Sequence, residues 1–134
     1  MQSIKKLFAK RYPAILWTIV IFILLAIPGN MIPSEAAFSI SNFDKYVHIS
    51  IFFVFVLLWS FYFASRPEES KKLRKWFFLV FIIACLYGTA MEYVQKYFIP
   101  FRDFDLYDIL SDVIGSLAGY IAASLIFPLN KKVI

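Results

Sequence analysis

Cysteine occurs once in the chain, at Cys85, and histidine once, at His48. A single thiol excludes an internal disulfide, and its place in the middle of an apolar run makes it a packing or lipid-facing residue rather than a reactive one. There is no glycine-rich loop of the kind that cradles phosphates, no H-E-x-x-H zinc spacing and no serine-nucleophile motif. Internal repeats and low-complexity tails are absent as well. Charge is sparse, with Asp, Glu, Lys and Arg together making 17% of the residues. What fills the sequence is 61% hydrophobic and 20% aromatic residues, with a mean hydropathy of +0.72. Soluble domains run at about 45–50% apolar, which excludes an ordinary soluble globule, and 134 residues leave room for one domain.

A transmembrane helix needs roughly 20 mostly apolar residues. Four windows meet that need, at about 8–27, 46–64, 76–95 and 107–127, the first closed by Pro28 and Pro33 in "PGNMIP". Backbone groups in hydrocarbon must be satisfied within their own segment, and the runs are continuous rather than alternating, so all four are expected as helices. The fold class is an all-α membrane protein, a compact bundle of four transmembrane helices spanning 1–134 as one domain. Lys5, Lys6, Lys10 and Arg11 ahead of the first run also suit a secretory signal. The later spans favour an uncleaved first helix.

Basic residues set the expected orientation. The N-terminal flank holds those four; Arg66, Lys71, Lys72, Arg74 and Lys75 fill the second connection; Lys131 and Lys132 end the chain. Only Lys45, Lys96 and Arg102 fall on the other side. The positive-inside rule then places both termini in the cytoplasm. The net charge of +5 is a topology signal with some attraction to anionic lipid, and it requires no nucleic-acid partner. The acids distribute differently. Glu68 and Glu69 are expected inside, whereas Glu35, Asp44, Glu92, Asp103, Asp105, Asp108 and Asp112 lie outside or in the outer ends of helices. Acids contribute little to topology, so this bias needs another cause.

Helix periodicity supplies one. Asp44 and His48 are four apart at the start of the second run, and Glu92 and Gln95 share a face of the third with Gly88 and Ala84. In the fourth, Asp105, Asp108, Asp112, Gly115, Gly119 and Ala122 follow at spacings of three and four. Gly115-x-x-x-Gly119 is the pattern that lets membrane helices approach closely. The acidic stripe and the close-packing stripe coincide, so these acids are expected to face protein, lining an outward polar crevice of His48, Glu92, Asp108 and Asp112 with Arg102 reaching in. Intramembrane ionisable groups default to a functional hypothesis. Asp103 and Asp105 also read as simple helix caps, and Lys45 and Lys96 as headgroup contacts.

D-K-x-x-H (Asp44, Lys45, His48), E-x-x-Q (Glu92, Gln95) and R-x-x-D-x-x-D followed by G-x-x-x-G (Arg102, Asp105, Asp108, Gly115, Gly119) together resemble the VanZ-like family of bacterial membrane proteins. The resemblance runs from about Asp44 to Gly119. That family commonly carries Asn where this chain has Asp112. It is named for a protein associated with resistance to the glycopeptide teicoplanin, and it has been proposed to share a four-helix membrane core with enzymes that exchange or hydrolyse lipid headgroups.

The ionisable residues around the crevice carry more negative than positive charge, and a low-dielectric site must compensate the excess. Carboxyls that keep their protons, a divalent cation, or a cationic substrate group would each do so, and the residues leave the three open. The expected activity is hydrolysis or transfer at the phosphate-linked headgroup of a membrane lipid or lipid-linked cell-wall precursor. His48 would be general base or nucleophile with Asp44 or Asp108 fixing its tautomer, and Glu92 and Asp108 acid–base partners or metal ligands. Arg102 would grip a phosphate oxygen, with Gln95, Lys45, Asp105 and Asp112 completing the substrate site. Any metal would fall to Glu92, Asp108 and Asp112, while Gly88, Gly115 and Gly119 serve packing. The alternative is a non-catalytic protein that binds or shields a lipid or cell-wall precursor, its charges a structural ion network. Ion or proton transport is a third reading, opposed by inner helix halves without ionisable groups.

Overall fold

The structure is a computed structural model and describes residues 10–32, 41–66 and 70–127. Lys5, Lys6, Glu35, Glu68, Glu69, Lys131, Lys132 and the side chain of Lys71 lie outside the described residues. Among those described there are four α-helices, one short 3-10 turn and no strands: α1 (Tyr12–Leu25), the turn Gly29–Met31, α2 (Phe43–Ala64), α3 (Ser70–Phe98) and α4 (Leu106–Ile126).

Three of the four expected spans have the length and composition to cross a membrane, namely α2, α4 and the Lys72–Phe98 part of α3. The first differs. α1 has 14 residues, about 21 Å at 1.5 Å per residue, against a hydrocarbon core of about 30 Å. Hydropathy counted straight through Pro13, but proline belongs in the first turn of a helix. The helix accordingly starts at Tyr12 with Pro13 at its head and ends before Pro28. α3 extends the other way, taking in the basic segment from Ser70 as its first turns.

α2 packs most extensively on α4, and α3 covers both, while α1 lies against α2 and α3. The reason α2 and α4 approach so closely is the glycine stripe. A Cβ on Gly115 would overlap the backbone of Ile49, and one on Gly119 would sit 2.8 Å from the carbonyl oxygen of Phe53. The core is then filled by Ile21, Leu25, Ile51, Phe52, Phe55, Val56, Val80, Ala84 and Met91. Leu16, Ile23, Leu86, Ile114 and Leu125 point outward from the bundle, the surface a lipid-facing protein presents.

Polar side chains fasten α1, which is apolar all round and has no preferred face of its own. Trp17 Nε1 donates to the Ile51 carbonyl at 2.9 Å, and the Tyr87 hydroxyl donates to that of Thr18 at 2.9 Å. At the far end Gln95 Nε2 donates to the Leu25 carbonyl at 2.9 Å, satisfying one of the acceptors a helix C-terminus leaves open. Gln95 is 1% exposed. Gln95→Leu keeps the volume but strands that carbonyl, and is expected to lower stability by about 1–3 kcal/mol, read as a fall in the thermal unfolding midpoint in detergent.

Candidate functional site

The N-terminal ends of α2 and α4 and the C-terminal end of α3 meet at one end of the bundle. Asp105 caps α4, its carboxylate accepting from the Tyr107 N–H at 2.8 Å. Its own N–H donates to Glu92 Oε2 at 2.9 Å. α3 thereby fixes where α4 begins, and Asp108 and Asp112 follow on the inward face over the next two turns.

Four ionisable groups gather behind this cap with almost no solvent contact: His48 is 3% exposed, Glu92 1%, Asp108 5% and Asp112 1%. His48 Nδ1 lies 2.8 Å from Asp112 Oδ1, and its Nε2 lies 3.7 Å from Asp108 Oδ2. The carboxylate that holds the imidazole is therefore Asp112, whereas sequence spacing pointed to Asp44 or Asp108. With Nδ1 bonded to Asp112, the other ring nitrogen, Nε2, is left on the side of Asp108. Room for this arrangement comes from Gly88, where a Cβ would overlap the Asp112 carboxyl group.

Lys45 closes the cluster on its outer side. Its Nζ is 2.8 Å from Asp44 Oδ2, 2.5 Å from Asp105 Oδ2 and 2.5 Å from Asp108 Oδ1. The ammonium holds the Asp105 carboxyl below its ordinary range. Asp44 thus pairs with its chain neighbour and not with His48. Beyond Lys45 an open groove of about 700 Å³ runs between α2 and α4, lined by Asp44, Lys45, Tyr46, Asp105, Tyr107 and Ser111 among others. The expected crevice is divided in two: an open groove outside, and a buried centre on the other side of the Lys45 contacts.

Two other expected members stand elsewhere. Arg102 turns to the end of α1, where its Nε lies 3.4 Å from the Ile27 carbonyl, and Gln95 is taken up by Leu25. The loop that carries Arg102 is locked there by Gly29, whose N–H donates to Pro100 O at 3.1 Å and where a Cβ would overlap the Phe101 backbone. Neither the site's net charge nor the helix periodicity could show which backbone carbonyls would lie within reach of these side chains.

Three apolar helices with the length and composition to cross a bilayer, converging on a buried ionisable centre at one end, place the chain in the class of helical membrane proteins. The chain belongs to the VanZ/LLP1 family, whose model matches residues 8–127. Neither the curated proteins nor the solved structures gave a match.

Proposed function

We propose that this protein works on the phosphate-linked headgroup of a bacterial envelope lipid, from the extracytoplasmic face of the inner membrane and with both termini in the cytoplasm, the short α1 completing a fourth crossing together with its flanking residues. The observation that carries the reading is the His48–Asp112 pair, an imidazole oriented by one buried carboxylate and gathered with two more, Asp108 and Glu92. Such a centre is expensive to bury and typical of chemistry rather than packing. The groove between α2 and α4 would receive the headgroup, with the Lys45 ammonium turned from its carboxylates to the phosphate. Behind it, His48, Glu92 and Asp108 would supply the reacting groups. A VanZ-type link to teicoplanin susceptibility would follow from altered envelope lipids, and so be indirect.

Orientation follows the basic residues at the opposite end of the bundle, where Arg66, Lys72, Arg74 and Lys75 cluster at the end of α2 and the start of α3. A tag-free protein reconstituted with glycerophospholipid and polyprenyl-phosphate lipids tests the activity. His48→Ala is expected to slow headgroup release or exchange by about 10²-fold or more with helix content retained. Turnover equal to wild type would sink the reading. The ion network around Lys45 favours a second reading, a lipid-binding or shielding protein without turnover. Glu92→Gln separates the two, since a binder tolerates the swap and an enzyme of this design does not.

A further inference from the structure

We infer that the buried centre is a binding site for one first-row divalent cation, of the Mn²⁺ or Zn²⁺ type, held by His48 Nε2, Asp108 and Glu92. One donor atom from each of these residues lies within 4.8 Å of the other two. Each residue has one donor atom committed elsewhere and one left over. His48 gives Nδ1 to Asp112, Asp108 gives Oδ1 to Lys45, and Glu92 gives Oε2 to the Asp105 N–H. The atoms that remain are His48 Nε2, Asp108 Oδ2 and Glu92 Oε1, and Glu92 Oε1 is fully buried with no hydrogen-bond partner. A carboxylate oxygen left without a donor, in a residue 1% exposed, calls for an occupant that accepts its lone pair.

The separations suit a metal. His48 Nε2 and Asp108 Oδ2 are 3.7 Å apart, too long for a hydrogen bond and spanned by a cation at about 2.0–2.2 Å from each. Asp112 behind His48 is the outer carboxylate that metal-bound imidazoles ordinarily have, fixing the tautomer and aiming the ring. One nitrogen and two carboxylate oxygens favour a transition ion over Ca²⁺ or Mg²⁺, which prefer all-oxygen shells. A neighbouring trio, Asp44, Asp105 and Asp108, meets the same distance criterion, but the Lys45 ammonium already occupies it. The buried trio has no such resident cation. Within the proposed headgroup chemistry, which this inference rests on only for its role, His48, Glu92 and Asp108 would then act through the ion they hold rather than directly, although the binding itself needs no substrate.

The test uses the full chain without a histidine tag, in lipid nanodiscs, stripped with EDTA and titrated with Mn²⁺ alone. One ion per chain is expected, with the nitrogen coupling of a bound imidazole in pulsed electron paramagnetic resonance. That signal has one source, because His48 is the chain's single histidine. Glu92→Gln is expected to weaken binding by about 10²-fold, and Asp112→Asn, which still accepts from Nδ1, by about 10-fold. Asp44→Asn, on the Lys45 side, should leave it unchanged. Absence of stoichiometric Mn²⁺, a bound ion without imidazole coupling, or displacement by equimolar Ca²⁺ would overturn the assignment. Because no lipid turnover is read, a failure here is distinct from a failure of the headgroup activity.

Discussion

Gly115→Leu is expected to leave little folded protein, with a loss above about 4 kcal/mol, a size reserved for a few kinds of substitution. The reason is what a side chain would meet. At Gly115 the nearest atoms to an added Cβ are the carbonyl oxygen, carbonyl carbon and Cα of Ile49, all backbone and all belonging to α2. A flexible side chain could swing aside, but a helix backbone can yield only by moving the whole helix. Moving α2 off α4 would also part His48 from Asp112, which bridge the same pair of helices. Gly115→Ala should fall between, at about 1–3 kcal/mol, the range of ordinary overpacking. Ala118, three residues on and exposed on the outer face of α4, provides the comparison. Ala118→Leu places the same side chain where lipid can accommodate it, and should shift stability by no more than about 0.5 kcal/mol. Thermal unfolding of the three variants in one detergent measures the series. A Gly115→Leu protein as stable as the Ala118→Leu one would mean that α2 and α4 do not meet along this stripe.

The glycine stripe is legible in the sequence because an apolar helix has few reasons to carry two Gly four residues apart. The inward turn of Glu92 and Asp112 was readable for a similar reason: a carboxylate one turn inside a hydrophobic segment has nowhere else to go. Pairing was harder. Asp44 and His48 sit four apart on one helix, and local spacing naturally couples them. In the folded chain the contacts between helices prevail, so Asp112 of α4 takes the imidazole and Asp44 falls to Lys45. Lys45 could be read either as a lysine snorkelling to the headgroups or as part of the substrate site. Here three carboxylates hold it at the mouth of the site. The length of α1 was overestimated because a hydropathy window adds residues on both sides of Pro13 without asking where a helix can begin. Arg102 and Gln95 bond to the last carbonyls of a helix far away in sequence, and no one-dimensional pattern encodes that proximity.

Lys45→Met is expected to produce the second large effect. Lysine and methionine have similar reach, so packing along the stem is preserved and the change is chiefly the loss of one positive charge. That loss leaves Asp44, Asp105 and Asp108 converging without their common partner, and Asp108 is buried, with 7% of its side chain exposed. Removing one member of a buried ion pair typically costs about 3–5 kcal/mol, through the charge left behind more than the bond lost. Lys45 is partly accessible, with 18% of its side chain exposed, which places the expectation near the lower figure at neutral pH. The origin of the effect can be checked by removing the stranded charge too. Lys45→Met combined with Asp108→Asn should be less destabilised than the sum of the single variants, by about 1–3 kcal/mol, the scale of coupling between groups in direct contact. Acid offers an independent check of sign. Asp105 has its carboxyl held below the ordinary value of 3.8 by the bond to Lys45. Its share of the network is therefore complete above that pH and disappears as the medium is acidified through the lower folded value. The gap between wild type and Lys45→Met should be widest near neutrality and narrow below pH 3.8. Strict additivity of the double variant, or a gap that widens in acid, would show that the ammonium is not what holds these three carboxylates together.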